Sequence, residues 1–380
     1  MPDIAIIGGG IGGLCTAIGL QTRGFDPVVY EATDELRPVG FGIGIAPNGM
    51  QALDHLDVAD PVVERGVAVD RIELRTKEGQ LLMPMDFRTP VNQLDLNHIM
   101  VAVHRADLQS VLRNHLSTDR LQLGMECVGI DAKQPAIQFA DGTEKTPDLV
   151  VGADGVNSTV RRNISPNNRP RYAGEVAYRG LADTTTSNDI EQVGAEFWGH
   201  GVRLGYFPVD GEQVYWFATV VAESPDAAPE ATSAELAKQY RDFTDPVPDL
   251  IAATDDETII QTPLTDVPPL NHWTNGRATL LGDAAHAMTP NLAQGSAQAM
   301  EDSVVLAESI ATHGATHRAF SAYETRRKDR AEAILRQSRI QGRLAQVEYP
   351  MLAKIRNAAF RHVPSLLLQK QTESMVTADF

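Results

Sequence analysis

The chain has 380 residues, 43% of them hydrophobic, a length that suits one large domain with a smaller domain inserted into it. A formal net charge of -17 disfavours nucleic acid or an anionic membrane as partner. Two cysteines without a C-x-x-C pair exclude a dithiol redox motif and a thiolate metal cluster.

Residues 3–31, DIAIIGGGIGGLCTAIGLQTRGFDPVVYE, open the chain as strand, glycine loop, helix and second strand. Ile4 to Ile7 form an uninterrupted apolar run, as expected of a parallel strand buried on both faces. Gly8, Gly10 and Gly13 follow in G-x-G-x-x-G spacing. The first permits a tight turn, the second lets the backbone approach a pyrophosphate, and the third lets the helix pack closely. The helix N-terminus turns its free amides and dipole toward an anion, while Leu14, Ile18 and Leu20 supply an apolar face. Glu31 ends the strand Pro27 to Tyr30, where a carboxylate accepts hydrogen bonds from an adenosine ribose. Together these features predict a dinucleotide-binding unit without separating NAD from FAD. Cys15 in this helix and Cys127 in a later strand are expected to be small core residues.

After Glu31, glycines alternate with apolar residues up to a turn at Pro47-Asn48-Gly49. Arg37 and the run Gly42 to Asn48 either lie along a flat ligand or form a surface loop. Arg71 to Arg75 and Leu81 to Met85 read as paired strands turning at Glu78-Gly79. His104 to Leu116 reads as a helix whose Arg105 is either solvated or reaches the pyrophosphate. Thr146 to Arg162 repeats the opening logic, with a strand (Leu149 to Val151), a Gly-Ala-Asp-Gly turn and a polar helix start. Asp154 sits where that strand ends. From Arg171 to Val221 the pattern becomes β, with strands Tyr172 to Leu181, Ala195 to Trp198, Val202 to Pro208 and Gln213 to Val221. The last two form a hairpin across Asp210-Gly211. Aromatic residues concentrate here; each alone reads as core packing, and as a group they can wall an apolar pocket.

A helix is expected around Ala234 to Phe243. Gly276 to Ser309 then gives a strand (Ala278 to Leu281), a turn at Gly282-Asp283, a loop through Pro290 and a helix opening near Gly295. His286, after the tight turn, reads as a structural hydrogen-bonding residue ahead of a catalytic base. Thr316 to Ala345 is expected as a long charged helix with Arg326, Arg327, Lys328 and Arg330 on a solvated face, and a helical tail follows from Glu348. Only seven of the 33 basic residues are lysines, which suits a high-salt host as well as an ordinary acidic enzyme. No apolar stretch reaches membrane-spanning length and the first strand starts without a signal peptide, so the expected location is cytoplasmic.

The glycine fingerprint at Gly8 to Gly13, the Asp154-Gly155 turn, and Gly282-Asp283 with its Pro290 loop resemble the single-component FAD-dependent aromatic hydroxylases, typified by p-hydroxybenzoate and salicylate hydroxylases. The resemblance runs in the family's order and spacing from residue 3 to about 330. It implies an α/β fold in which a discontinuous Rossmann-type FAD-binding domain (1–70, 100–165 and 275–345) carries an inserted antiparallel β-sheet substrate domain (71–99 and 166–274). A C-terminal helical tail (346–380) completes it. The same likeness implies cofactor contacts from Gly8, Gly10, Ile11, Gly12, Gly13, Glu31, Ala32, Arg37, Gly44, Arg105 and Val128. Further contacts are implied from Asp154, Gly155, Arg161, Gly282, Asp283, Pro290, Gln294, Gly295 and Ser296. Asp283 would hold the ribityl chain, Asp154 and Arg161 a turn serving both FAD and NAD(P)H, and Pro290 to Gly295 the border of the isoalloxazine. NAD(P)H visits such proteins without a domain of its own. The implied partners are O2, NAD(P)H and a small aromatic substrate, with no metal, in a monomer or homodimer. One departure is Ala293, where many relatives carry glycine.

The mechanism implied is hydride transfer from NAD(P)H to FAD, oxygen addition at flavin C4a, and transfer of oxygen from the C4a-hydroperoxyflavin to a phenolic or salicylate-like ring. The flavin carries this chemistry, so no side chain is assigned as catalytic. The helix start at Gly295 would stabilise negative charge near flavin N1 and C2=O. Alternation places Tyr206 and Pro208 on one strand face and Phe207 on the other, and separates Trp216 from Tyr215 and Phe217. Tyr206 and Trp216 are expected as pocket walls. Arg179 is expected either to anchor an anionic substrate group or to pair with a surface carboxylate. An epoxidase, a prenyl-chain reductase and a non-catalytic flavin-binding regulator share enough of the pattern to stay open. A flavin halogenase is disfavoured because Trp198, Trp216 and Trp273 stand in no W-x-W-x-I-P context. A plain NAD dehydrogenase leaves Asp154 and Asp283 unexplained.

Overall fold

In the computed structural model, the described residues are 1–35, 41–117, 119–132, 134–183, 193–364, 372–373 and 375–380. The chain runs through β1 (Ile4–Ile7), α1 (Ile11–Gln21), β2 (Val28–Tyr30), β3 (Gly42–Ile45), α2 (Pro47–Asp54) and α3 (Ala59–Val63). It continues with β4 (Val67–Val69), β5 (Arg71–Thr76), β6 (Leu81–Asp86), α4 (Arg88–Gln93), β7 (Met100–His104) and α5 (Arg105–Asn114). Next come β8 (Leu121–Gln122), β9 (Cys127–Asp131), β10 (Ala136–Phe139), β11 (Glu144–Lys145), β12 (Leu149–Gly152) and α6 (Thr159–Ile164). Four long strands follow: β13 (Arg171–Asp183), β14 (Val193–Trp198), β15 (Val202–Pro208) and β16 (Gln213–Val221). The rest is α7 (Ser233–Tyr240), α8 (Val247–Ala252), β17 (Ile260–Asp266), β18 (Thr274–Asn275), β19 (Ala278–Leu280) and α9 (Asp283–His286). Three helices close the order: α10 (Gly295–His313), α11 (His317–Ala345) and α12 (Pro350–Arg361).

The apolar run Ile4–Ile7 is buried at every position because it lies inside a six-stranded sheet of order β18-β19-β12-β1-β2-β8. From β19 to β8 the pairing is parallel, and β18 adds an antiparallel edge. Helices α1 and α10 cover it, with Leu14, Ile18, Leu20, Val304 and Leu306 in one core. Cys15 and Cys127 are both buried, and burial pushes their thiols up to about 12 and about 11, values that leave them unreactive.

A seven-stranded sheet, β17-β13-β16-β15-β14-β5-β6, holds the aromatic strands. It is antiparallel except between β14 and β5, a parallel pair that joins the early strands to the late ones. The turn at Asp210 forms as its sequence dictates: Asp210 Oδ1 accepts the amides of Glu212 (2.8 Å) and Gln213 (2.5 Å). Its Oδ2 lies 2.8 Å from His104 Nε2, which clips the hairpin tip to the end of β7. Helices α7 and α8 cover one face of this sheet. The other face turns toward the parallel sheet.

Arg327 does not lie on a solvated face. It is fully buried, with Nε donating to Asp302 Oδ1 (2.8 Å), Nη2 to Gln298 Oε1 (2.6 Å) and Nη1 to Glu301. The reason is that Glu301 and Asp302 sit on the buried side of α10 and require a cation there. Asp302 Oδ2 also accepts the Gly282 amide (3.0 Å) and His286 Nε2 (2.6 Å), so His286 is the structural residue its position suggested. Glu301 reaches Asn48 on α2 (2.6 Å) and Arg330 (3.0 Å). One network therefore fixes α2, the Gly282 turn, α10 and α11 to each other.

Burial pushes the Asp302 carboxyl up, but the charges and hydrogen bonds of His286 and Arg327 outweigh it and hold the group at about 2. The folded value lies below that of an unfolded aspartate (about 4). Its contribution to stability is complete above that value and is lost as pH falls toward 2. Asp302→Asn leaves Arg327 and His286 without their carboxylate and is expected to cost about 3–5 kcal/mol in urea unfolding near neutral pH. The gap between wild type and variant should narrow as the pH is lowered through this window; a constant gap would show that the carboxylate's charge is irrelevant.

Candidate functional site

Ile7, Gly152 and Leu280 are neighbours in register, so the loops leaving β1, β12 and β19 converge at the carboxyl edge of the parallel sheet. Ligands bind at such an edge. Gly8 has φ 108, and a Cβ there would lie 2.3 Å from the Ala153 carbonyl oxygen, so the first two loops touch through it. A Cβ on Gly13 would lie 1.9 Å from the Gly8 carbonyl oxygen, so α1 packs against the loop itself. Gly10 is the opposite case: nothing lies within 4 Å of its missing Cβ, and α1 begins there without a side-chain cap. The unshared amides face open space suited to an anion.

Glu31 braces this loop. Its Oε2 accepts the Gly9 amide at 2.6 Å and its Oε1 accepts the Thr33 amide at 3.1 Å. Ala32 beside it is exposed, and Val128 is exposed on β9. Asp154 caps α6, accepting the Thr159 and Val160 amides (2.7 and 3.1 Å) and the Ser158 hydroxyl (2.5 Å). Burial pushes its carboxyl up against the pull of these bonds. Arg161 is buried and donates to the Ala284 carbonyl (3.0 Å) and to that of Val156, tying the second loop to the third. Asp154 and Arg161 therefore shape the rim, while Ala153 and Gly155, on either side of Asp154, face the cavity.

The cavity measures about 380 Å³. Gly10, Ile11, Gly12, Gly44, Arg105, Gly155, Gly282, Asp283, Pro290, Gly295 and Ser296 line one side. Arg179, Phe207, Tyr215, Phe217 and Thr219 line the other, with Phe41 at the join. Gln294 is absent from this wall, since its side chain is buried and bonded to Asn48 and Gln298. Arg37 lies outside the described residues.

Tyr206 and Trp216 do not wall the cavity. Both point to the opposite sheet face, into the core under α7 and α8, where Trp216 Nε1 donates to Thr254 Oγ1 at 2.8 Å. The alternation is as expected, but the covered face is the one holding Trp216. Phe207, Tyr215 and Phe217 are therefore the wall residues; the strand pattern had set Phe207 apart from Tyr206, and Tyr215 and Phe217 apart from Trp216, without linking the two strands.

Asp283 opens to the cavity and, among the described residues, its carboxylate accepts no hydrogen bond. Protein packed around its other sides pushes the carboxyl up, countered by the charges of His286, Arg105 and Arg161. Arg105 makes no salt bridge among the described residues. Arg179 Nη1 donates to Thr262 Oγ1 at 2.6 Å, and its guanidinium lies 5.9 Å over the Phe41 ring. Burial pushes the nearby Tyr215 hydroxyl up, countered by the charges of Arg179 and Arg105. Ala293 borders the cavity with φ 52, a left-handed conformation that costs a non-glycine residue about 1–2 kcal/mol and that glycine would adopt without that cost. Helix α10 starts at Gly295 without a side-chain cap. An open glycine loop, an unsatisfied carboxylate and two uncapped helix starts around one cavity fit an extended dinucleotide that ends in a flat ring.

Residues 1–338 match the family model described as FAD binding domain. The chain is 33% identical over 366 residues to the aurachin C monooxygenase/isomerase of Stigmatella aurantiaca, covering 95% of this chain and 94% of that one. It is 34% identical over 386 residues to the 2-heptyl-3-hydroxy-4(1H)-quinolone synthase of Pseudomonas aeruginosa, covering 98% and 97%. The solved structure of Klebsiella pneumoniae HpxO with FAD and uric acid superposes with a TM-score of 0.88 at 27% identity, covering 100% of this chain and 97% of that one.

Asp283→Ala is expected to keep the fold and to weaken FAD binding about tenfold or more, because a charge-assisted hydrogen bond is worth roughly 1.5–3 kcal/mol. Titration of the apoprotein with FAD, followed by flavin fluorescence, measures this. Unchanged affinity would make Asp283 a purely structural acid.

Proposed function

The chain belongs to the FAD binding domain family and is an FAD-dependent monooxygenase of the aromatic hydroxylase type, and on that premise we propose that it uses NAD(P)H and O2 to hydroxylate a small, flat, electron-rich ring held against Phe207, Tyr215 and Phe217. The observation that carries this reading is the shared cavity: the dinucleotide loops form one wall and an aromatic sheet face with a single arginine forms the other. FAD supplies the redox and oxygen-transfer chemistry when bound, and the protein supplies binding, orientation and exclusion of water.

The amides at Gly10 and Ile11 and the dipole of α1 would hold the pyrophosphate, and Asp283 would receive the ribityl hydroxyls. The uncapped start of α10 at Gly295 would favour negative charge on a ring placed beside it. Phe207, Tyr215 and Phe217 present apolar faces that stack the substrate and keep water away. Arg179, already oriented by Thr262 and by the Phe41 ring, offers its remaining donors to a carboxylate, phenolate or ring carbonyl. The relatives' names concern a quinolone and uric acid, both flat fused rings with carbonyl oxygens, which agrees with an arginine in an apolar wall. No second glycine fingerprint exists for the nicotinamide, which agrees with an NAD(P)H that visits without a domain of its own.

The reading is tested by offering phenolic, quinolone and purine compounds to the FAD-loaded enzyme with NADH or NADPH under labelled oxygen. One class should stimulate nicotinamide oxidation and oxygen uptake and emerge with one labelled oxygen atom. Reduction of an isolated double bond without label would instead mark a reductase, and an absence of turnover a binding protein. With the substrate in hand, Arg179→Ala should raise KM about tenfold or more while flavin content stays unchanged, and Arg179→Lys should recover part of the loss. An unchanged KM rejects the anchor.

A further inference from the structure

The whole-chain charge conceals a local reversal. Residues 333–364 carry Arg336, Arg339, Arg343, Lys354, Arg356 and Arg361 against Glu348 alone, a net of +5 within a chain of net charge -17. Arg336 pairs with Glu332 (3.3 Å), Arg339 with Asp266 (3.2 Å) and Arg356 is buried, which leaves Arg343, Lys354 and Arg361 exposed and without a salt bridge among the described residues. The same stretch holds six of the eleven large hydrophobic side chains that are exposed among the described residues: Ile340, Leu344, Tyr349, Met351, Leu352 and Ile355, the last four between 52% and 76% exposed. Chance scatter would spread such residues over the surface, as it does Leu94 and Leu123.

Helix α12 is held firmly from its other side. Arg356 is buried, with Nη1 donating to the Leu344 carbonyl (3.1 Å), Nη2 to the Gly199 carbonyl (3.3 Å), and its guanidinium 4.9 Å over Trp198. Phe360 meets the edge of the same tryptophan at 5.2 Å. The helix is thus anchored to the end of α11 and to the sheet, while Met351, Leu352 and Ile355 are exposed among the described residues. Glu348, against Gly201, is the acid of this segment.

We propose that this surface docks on the face of a lipid bilayer bearing anionic headgroups. Apolar side chains on an anchored helix enter the headgroup boundary, and the surrounding Arg and Lys residues meet the lipid phosphates. Charge decides between this occupant and a second copy of the chain: a two-fold contact would set the basic patch against itself. No helix among the described residues is long and apolar enough to cross a membrane, so the protein lies on the bilayer. The inference is independent of the substrate.

The test is flotation of the full-length, FAD-loaded protein with vesicles of phosphatidylcholine alone and of equal parts phosphatidylcholine and phosphatidylglycerol. Binding is expected to the mixed vesicles, to be suppressed at about 1 M salt, where screening acts within about 3 Å, and to be abolished by the combined Met351→Ser, Leu352→Ser and Ile355→Ser variant. Lys354→Gln should weaken it about fivefold, the effect of one basic residue near such a surface. Flavin content and melting temperature of both variants should match wild type, since neither touches the cavity or the core. Failure of the wild type to float with anionic vesicles overturns the proposal, as does flotation that the triple variant leaves intact. A concentration-dependent dimer that the triple variant dissociates, without flotation, assigns the face to a second copy and equally overturns it.

Discussion

A guanidinium with no contact to water, that of Arg327, lies between the carboxylates of two consecutive residues, Glu301 and Asp302. Burying three charges is costly, and replacing them with packed hydrocarbon is often neutral or stabilising in other proteins, so the arrangement is better understood as fixing geometry than as adding stability. Its satisfied geometry permits one placement of α10. Asn48, Gly282, His286 and Arg330 all join, so the turn that carries Asp283 and the helix that starts at Gly295 are set by the same charges. A small error there would tilt the helix start away from the cavity, where a dipole's effect falls off within a turn.

The second determinant is which face of the large sheet is covered. Helices α7 and α8 bury Tyr178, Leu204 and Trp216, leaving Phe207, Tyr215 and Phe217 as the free face that meets the dinucleotide loops. The clip between His104 and Asp210 holds the hairpin tip to the end of β7, so the aromatic wall is positioned from its tip as well as its base. Charge is sparse in the cavity and asymmetric. Asp283 and Arg105 stand on the loop side and Arg179 on the sheet side, an arrangement that can orient a polar ring edge within an otherwise apolar space.

The parts legible in the sequence are those decided locally. The strand, glycine loop and helix at the N-terminus, the hairpin at Asp210 and the Gly282 turn each depend on residues a few positions apart, and all form as read. The pocket face was not legible, because period-two alternation defines two sets of side chains and the covering helices come later in the chain. Arg327 was misread for a similar reason. An arginine in a charged helix has no visible partner until α10 is folded beside it, although Glu301-Asp302 inside an apolar run was a signal that a buried cation was needed. Asp154 and Arg161 lie beside the converging loops, and their hydrogen bonds hold the rim together. Net charge averaged over the chain hid the basic, apolar segment around α12.

The proposed function requires the flavin ring to lie between the Pro290–Gly295 loop and the face formed by Phe207, Tyr215 and Phe217. A crystal structure of the FAD-loaded enzyme measures this directly. The expected result is a ring with its pyrimidine edge at the start of α10 and its ribityl hydroxyls within hydrogen-bond distance of Asp283. A ring seated elsewhere, or a ribityl chain out of reach of Asp283, would contradict it.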